Sequence, residues 1–140
     1  MALPQQKFRE AVFITLFAHT VGGASARTPD FVSEQLKISK KYASMALARV
    51  HAIIPQLSDI DAKIAEKSTE YTFDRIPEAE KNILRLALFE LVYDDAVPPK
   101  VSIAEAIRLA KKFCTESTGK FINAILDSVY KELNANPVTV

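Results

Sequence analysis

The stretch Ile76-Pro77-Glu78-Ala79-Glu80-Lys81-Asn82-Ile83-Leu84-Arg85-Leu86-Ala87-Leu88-Phe89-Glu90-Leu91-Val92-Tyr93 decides the fold class. Ile83, Leu84, Ala87, Leu88 and Leu91 recur at steps of three and four, which gathers them on one face of a helix. Pro77 suits a helix start, because the N–H it lacks would have no intrahelical partner there. Val97-Pro98-Pro99 ends the run, since proline cannot continue a hydrogen-bonded helix. The spacing predicts a helix over residues 76–93.

Downstream, Ser102 and Glu105 have the S-x-x-E spacing of a capping box, in which each side chain satisfies a free backbone N–H of the other. That predicts a sixth helix opening at Ser102 and carrying Ile103, Ala106, Ile107 and Ala110. A seventh follows over residues 117–133, with Phe121, Ile122, Ile125, Leu126 and Val129 on its apolar side. Residues 134–140 read as a tail. Upstream, a first helix is expected over residues 4–19, its stripe made by Phe8, Ala11, Val12 and Leu16. Residues 21–27, with Gly22-Gly23, form a loop. Thr28-Pro29-Asp30 opens a short second helix. Ser39 caps a third that stops before Pro55, and Ser58 opens a fourth to Lys67. No segment alternates with period two, and no repeat recurs. The expectation is an all-α chain: a single bundle of about seven helices over residues 1–133.

Composition agrees. The 140 residues are 49% hydrophobic and 25% charged, an ordinary globular balance for one domain. One cysteine, Cys114, cannot close an internal disulfide, which fits a reducing compartment and a cytoplasmic location. No apolar run has the length of a bilayer span, so no membrane partner is expected. Lys7 and Arg9 before the apolar residues 11–18, with Ala24-Ser25-Ala26 after them, imitate a secretory leader. Glu10 interrupts that pattern, the run is short, and it fits an amphipathic first helix equally. The net charge of +1 is unevenly spread: residues 1–51 carry +4, residues 52–95 carry −5 and residues 96–140 carry +2. Basic flanks around an acidic middle leave room for two different partners.

Nothing in the chain spells out catalysis. Gly22-Gly23 lacks the lysine and preceding strand of a phosphate loop. His19, His51 and Cys114 have no metal-ligand spacing, and Asp94-Asp95 read as solvated turn residues. No cofactor and no metal are expected. Binding has more support. Gln5, Gln6, Lys7 and Arg9 put donors on the first turns of a helix. Lys111, Lys112 and Lys120 flank Phe113 and Phe121, and a cation beside a ring can hold a phosphate while the ring stacks on a base. The spacing of Phe121 with Ile125 also fits plain core packing.

Glu80-Lys81-Asn82-Ile83-Leu84-Arg85-Leu86-Ala87 with Glu90-Leu91 resembles the E-x-x-I-L-R-x-A-x-x-E-L segment of the NusB family. Val97-Pro98-Pro99-Lys100-Val101-Ser102-Ile103-Ala104-Glu105-Ala106 is similar to its V-P-x-K-V-x-I-N-E-A stretch, with Ala104 for asparagine. Leu109-Ala110-Lys111 and Phe113 stay in register. Lys120-Phe121-Ile122-Asn123-Ala124-Ile125-Leu126-Asp127 resembles K-F-V-N-G-V-L-D, with Ala124 for glycine. Arg9-Glu10 and Leu16-Phe17 resemble the family's N-terminal R-E and A-L-Y. The likeness is strong from Pro77 to Asp127 and weak from Val21 to Glu70.

The resemblance implies an all-helical protein that binds single-stranded boxA RNA together with NusE, a ribosomal small-subunit protein, and supports elongation through ribosomal RNA operons. It implies RNA contacts at Lys7, Arg9, Phe17, Glu116, Lys120 and Phe121, and a NusE face at Asp74 and Glu80. The transcription elongation complex would be the wider partner. Several departures bear on strength. Gln5 and Gln6 stand where arginines are common, Ser117 where aspartate is usual and Cys114 where glycine is usual, and Phe17 lacks a tyrosine hydroxyl. Fewer phosphate contacts imply weaker RNA binding by the lone protein. One alternative is the NusB-like domain of an rRNA cytosine methyltransferase, which Asn123-Ala124-Ile125-Leu126 resembles. The sequence ends at Val140 without a catalytic domain, and Asp127 fits the free-standing family better. Another is a helical module that forms a homodimer and has no RNA role.

Overall fold

The structure, a computed structural model, describes residues 4–135. Its helices are α1 (Gln5–Thr20), α2 (Thr28–Leu36), α3 (Lys40–Ile53), α4 (Leu57–Lys67), α5 (Glu78–Tyr93), α6 (Pro99–Phe113) and α7 (Glu116–Ala135). Short 3-10 turns occupy Ile54–Gln56 and Phe73–Arg75, and no strand occurs among the described residues. The all-α class and the seven helices agree with the sequence reading. The tertiary contacts group the helices into two units, residues 1–56 and residues 57–140.

In the first unit α1 packs on α2 and α3, and α2 packs on α3. Ala11, Val12, Phe13 and Leu16 of α1 are buried, so the run that imitates a leader is a core-facing helix stripe. Val32, Ala43, Ala46, Val50 and Ile53 are buried with them. Each fully buried Leu or Ile contributes about 1.5–3 kcal/mol. Ser39 caps α3 by accepting from the Tyr42 N–H at 3.3 Å, as its sequence position predicts. Thr28 is already the first residue of α2, and its hydroxyl accepts from the Ser25 N–H at 2.8 Å, ordering the loop before the helix.

In the second unit α5 is packed by α4, α6 and α7. Residues 81–90 are buried without a break, as expected of a helix apolar nearly all round. Four of them are polar or charged, so each needs a partner. Arg85 donates from Nε and Nη2 to the two carboxylate oxygens of Asp61 on α4, at 2.8 and 3.0 Å, and from Nη1 to Asn82 Oδ1 at 3.0 Å. Lys81 lies 3.5 Å from Glu78 and 4.4 Å above the Phe73 ring. Between α4 and α7, Glu132 bridges Lys63 at 2.9 Å and Lys67 at 3.4 Å.

The start of α6 departs from expectation. The helix opens at Pro99, and the Ser102 N–H donates to the Pro98 carbonyl, so Ser102 is inside the helix and caps nothing. Its hydroxyl is buried with no hydrogen-bond partner among the described residues, and Glu105 pairs with Arg108 at 3.1 Å. Proline at the first helical position had already supplied the start. At the other end α7 continues through Ala135, so Asn134 and Ala135 are helical. The rest of the expected tail, residues 136–140, lies outside the described residues.

Candidate nucleic-acid interface

The segment between α4 and α5 crosses the N-terminal half of α7 and leaves a groove of about 500 Å³. Lys67, Tyr71, Glu80, Thr118, Lys120 and Phe121 are among its lining residues. The Ser68 hydroxyl donates to the Tyr71 carbonyl and tightens the turn that presents the tyrosine. Tyr71 is 48% exposed, and its ring makes a T-shaped contact with that of Phe121, with centroids 5.3 Å apart and planes at 73°. Phe121 is only 8% exposed, so it anchors Tyr71 from the buried side of the groove. Edge-to-face pairs hold aromatic rings in a fixed orientation. The Thr118 hydroxyl donates to Glu80 Oε1 at 3.1 Å and fixes that carboxylate. Thr115 and Ser117 hydroxyls lie 2.9 Å apart just above it.

This groove can recognise a flat, hydrogen-bonding ring on a negatively charged chain. Tyr71 offers a stacking face, Glu80 accepts from base N–H groups, and Lys120 attracts phosphate, while Lys67 is held by Glu132 and Glu66. On the other side of the first turns of α7 runs a smaller groove of about 350 Å³, lined by Ile107, Lys111, Glu116, Gly119, Lys120 and Asn123. Phe113, 37% exposed, closes α6 beside the connection between the helices, with the Lys112 ammonium 5.8 Å from its ring centre.

The sequence-derived residues distribute as follows. Glu80, Lys120 and Phe121 share the larger groove, although the resemblance divides them between two partners. Glu116 lies on the smaller groove with Lys120. Asp74 is exposed on the 3-10 turn, outside the lining of both grooves. Lys7, Arg9 and Phe17 are on α1 in the first unit. Lys7 is half-buried, and Arg9 is only 8% exposed. Phe17 is half-buried with its ring centre 6.3 Å from that of Phe13. The motif arginine of α5, Arg85, is a structural residue paired with Asp61.

Tyr71, Thr118 and Lys67 were not singled out from the sequence. A lone tyrosine in a Ser-Thr-Glu-Tyr-Thr loop carries no signal until the fold brings it against Phe121. Hydrolytic chemistry finds no support here. Burial pushes the Cys114 thiol up, and the Glu80 carboxylate pushes it further, so the nucleophilic thiolate is scarce at neutral pH. His19 and His51 are exposed on α1 and α3. Among the described residues no group of three His, Cys, Asp or Glu side chains could hold a metal ion. No helix there is long and apolar enough to cross a membrane.

Comparison with known proteins brings a family to this geometry. Residues 6–131 match the model of the NusB family. The chain is 31% identical to the transcription antitermination protein NusB of Chloroherpeton thalassium over 99% of its own length, and it spans just under two thirds, 66%, of that relative. It is 37% identical to the NusB of Oceanobacillus iheyensis, covering 89% of this chain and 97% of the relative. Among solved structures it is similar to the crystal structure of antitermination factors NusB and NusE in complex with dsRNA. There the TM-score is 0.77 at 26% identity, over 91% of this chain and 96% of that one.

Proposed function

The chain belongs to the NusB family, and we propose on that premise that it is a transcription antitermination factor. It binds boxA-type single-stranded RNA jointly with the ribosomal protein NusE and acts on the elongating transcription complex, in the cytoplasm. Its work is binding: it lowers no chemical barrier, and it needs no cofactor.

The observation that carries this reading is the larger groove, where Tyr71, Glu80, Lys120 and Phe121 meet on one face of the second unit. A solved NusB relative sits in a complex with NusE and RNA, and this chain overlays 96% of it. In the proposed mode a base stacks on Tyr71, Glu80 reads an amino or imino group, and Lys120 neutralises the adjoining phosphate. Lys7, Arg9 and Phe17 of α1, together with Glu116, are proposed as further RNA contacts. The exposed Asp74 belongs to a face for NusE, whose role would be to bring a second RNA-binding surface to the same strand.

Fluorescence anisotropy tests this with labelled boxA RNA, with and without NusE, at two salt concentrations. Binding that NusE strengthens and salt weakens, and that Lys120→Ala and Tyr71→Ala reduce, supports the proposal. A folded protein that binds no RNA in any of these conditions sinks it.

A further inference from the structure

We infer that the smaller groove between α6 and α7 is a second phosphate track, holding RNA backbone that lies outside the segment bound in the larger groove. The inference rests on the RNA-binding reading above and extends it to Lys111 and Asn123, which have no role there. Lys111 from α6 and Lys120 and Asn123 from α7 are exposed around the groove. Among the described residues no ion pair or hydrogen bond engages the terminal groups of these three side chains. Two ammonium groups and a carboxamide therefore stand ready for an anion, while neighbouring charges are already matched. Arg108 pairs with Glu105 at 3.1 Å, and Asp127 pairs with Lys131 at 2.9 Å.

Gly119 forms part of the floor. It lies inside a helix, where glycine is an unfavourable residue. A Cβ there would meet Ile107 Cγ2 at 3.7 Å, an ordinary contact, so packing of α6 on α7 does not demand glycine. What glycine preserves is the open floor. Lys120 lines both grooves, so a strand leaving the larger one over this residue enters the smaller one. The occupant is RNA backbone, because Lys111 and Lys120 offer positive charge and Asn123 a hydrogen-bond donor around one groove, which suits a run of phosphates.

The experiment compares two RNAs with NusE present: boxA alone, and boxA extended by several nucleotides at either end in turn. One extension should tighten binding and steepen the salt dependence by about 0.7 per added phosphate contact. Lys111→Ala and Asn123→Ala should reduce that gain several-fold and leave the affinity for boxA alone unchanged. Gly119→Ala should raise the melting temperature and yet lower the gain, which separates a filled floor from a damaged fold. Extensions that add nothing, or a Lys111→Ala loss equal for both RNAs, would overturn this inference while leaving the larger groove's role intact. If Lys111→Ala abolishes binding of an acidic peptide such as oligoglutamate but leaves the RNA gain unchanged, the groove belongs to a protein and the inference falls. Failure of the unmodified protein to bind either RNA would remove the RNA reading and this one with it.

Discussion

Arg85 shows how much one side chain can hold in this fold. It is buried on α5 and grips both oxygens of Asp61, which is itself partly exposed on α4. Removing one partner of such a pair leaves a charge without its match, which costs more than the pair contributes. Arg85→Ala should destabilise the protein by about 3 kcal/mol, given that Asp61 can recover some solvation. Urea unfolding would measure it, and a change within about 0.5 kcal/mol would show the pair to be incidental. The same residue marks a limit of reading from sequence. An arginine in a recognisable motif invites a functional role, and only the placement of Asp61 reveals a structural one.

Elements were more legible than their ends. Prolines, the Ser39 cap and the three-and-four spacing located all seven helices, because these signals act within a few residues of the backbone they govern. At the start of α6 two signals overlap, and Pro98-Pro99 opens the helix ahead of the capping-box pattern. A mutation separates the two. Had Ser102 been the cap, Ser102→Ala would cost about 1 kcal/mol. With the hydroxyl buried and unpartnered inside the helix, the change should instead stabilise by about 1 kcal/mol, from the relieved polar burial and the better helix former. A fall in melting temperature would restore the capping reading.

The α4–α7 clasp makes a second element-scale prediction. The hydrogen bond from Lys63 holds the Glu132 carboxyl below its usual 4.5, with Lys67 adding to it, despite some opposing desolvation. The hydrogen bond to Glu132 likewise raises Lys63 above 10.5. A depressed carboxyl stabilises the fold above its unfolded value and loses that effect as pH falls through the folded one. A raised amine stabilises below its unfolded value and loses that effect as pH rises through the folded one. Glu132→Gln should therefore lower the melting temperature at neutral pH, with the difference fading on acidification below 4.5 and again at strongly alkaline pH. A difference that persists unchanged in strong acid would show that the clasp does not titrate.

At the scale of the molecule, the charge pattern predicts the binding behaviour. Gln5 and Gln6 are exposed and neutral on the first turn of α1, and Arg9 is largely covered. The lone chain therefore neutralises few phosphates through α1. We expect weak, shallow salt-dependent boxA binding without NusE, and a marked gain in affinity with it. Titration by anisotropy would check this, and nanomolar binding by the chain alone would contradict it. Part of the candidate site was readable because Glu80, Lys120 and Phe121 lie in strongly patterned helices. Tyr71 was not, because its pairing with Phe121 joins residues fifty positions apart, and no local spacing encodes such a distance.

Cys114 closes α6 at backbone angles outside the helical range, half-covered, with its thiol held protonated by burial and by Glu80. A single slow-reacting sulfur at the connection between α6 and α7 is a built-in clock. Its alkylation rate at fixed pH reports how accessible that connection is. RNA that covers this connection would slow that clock without any label having been added to the chain.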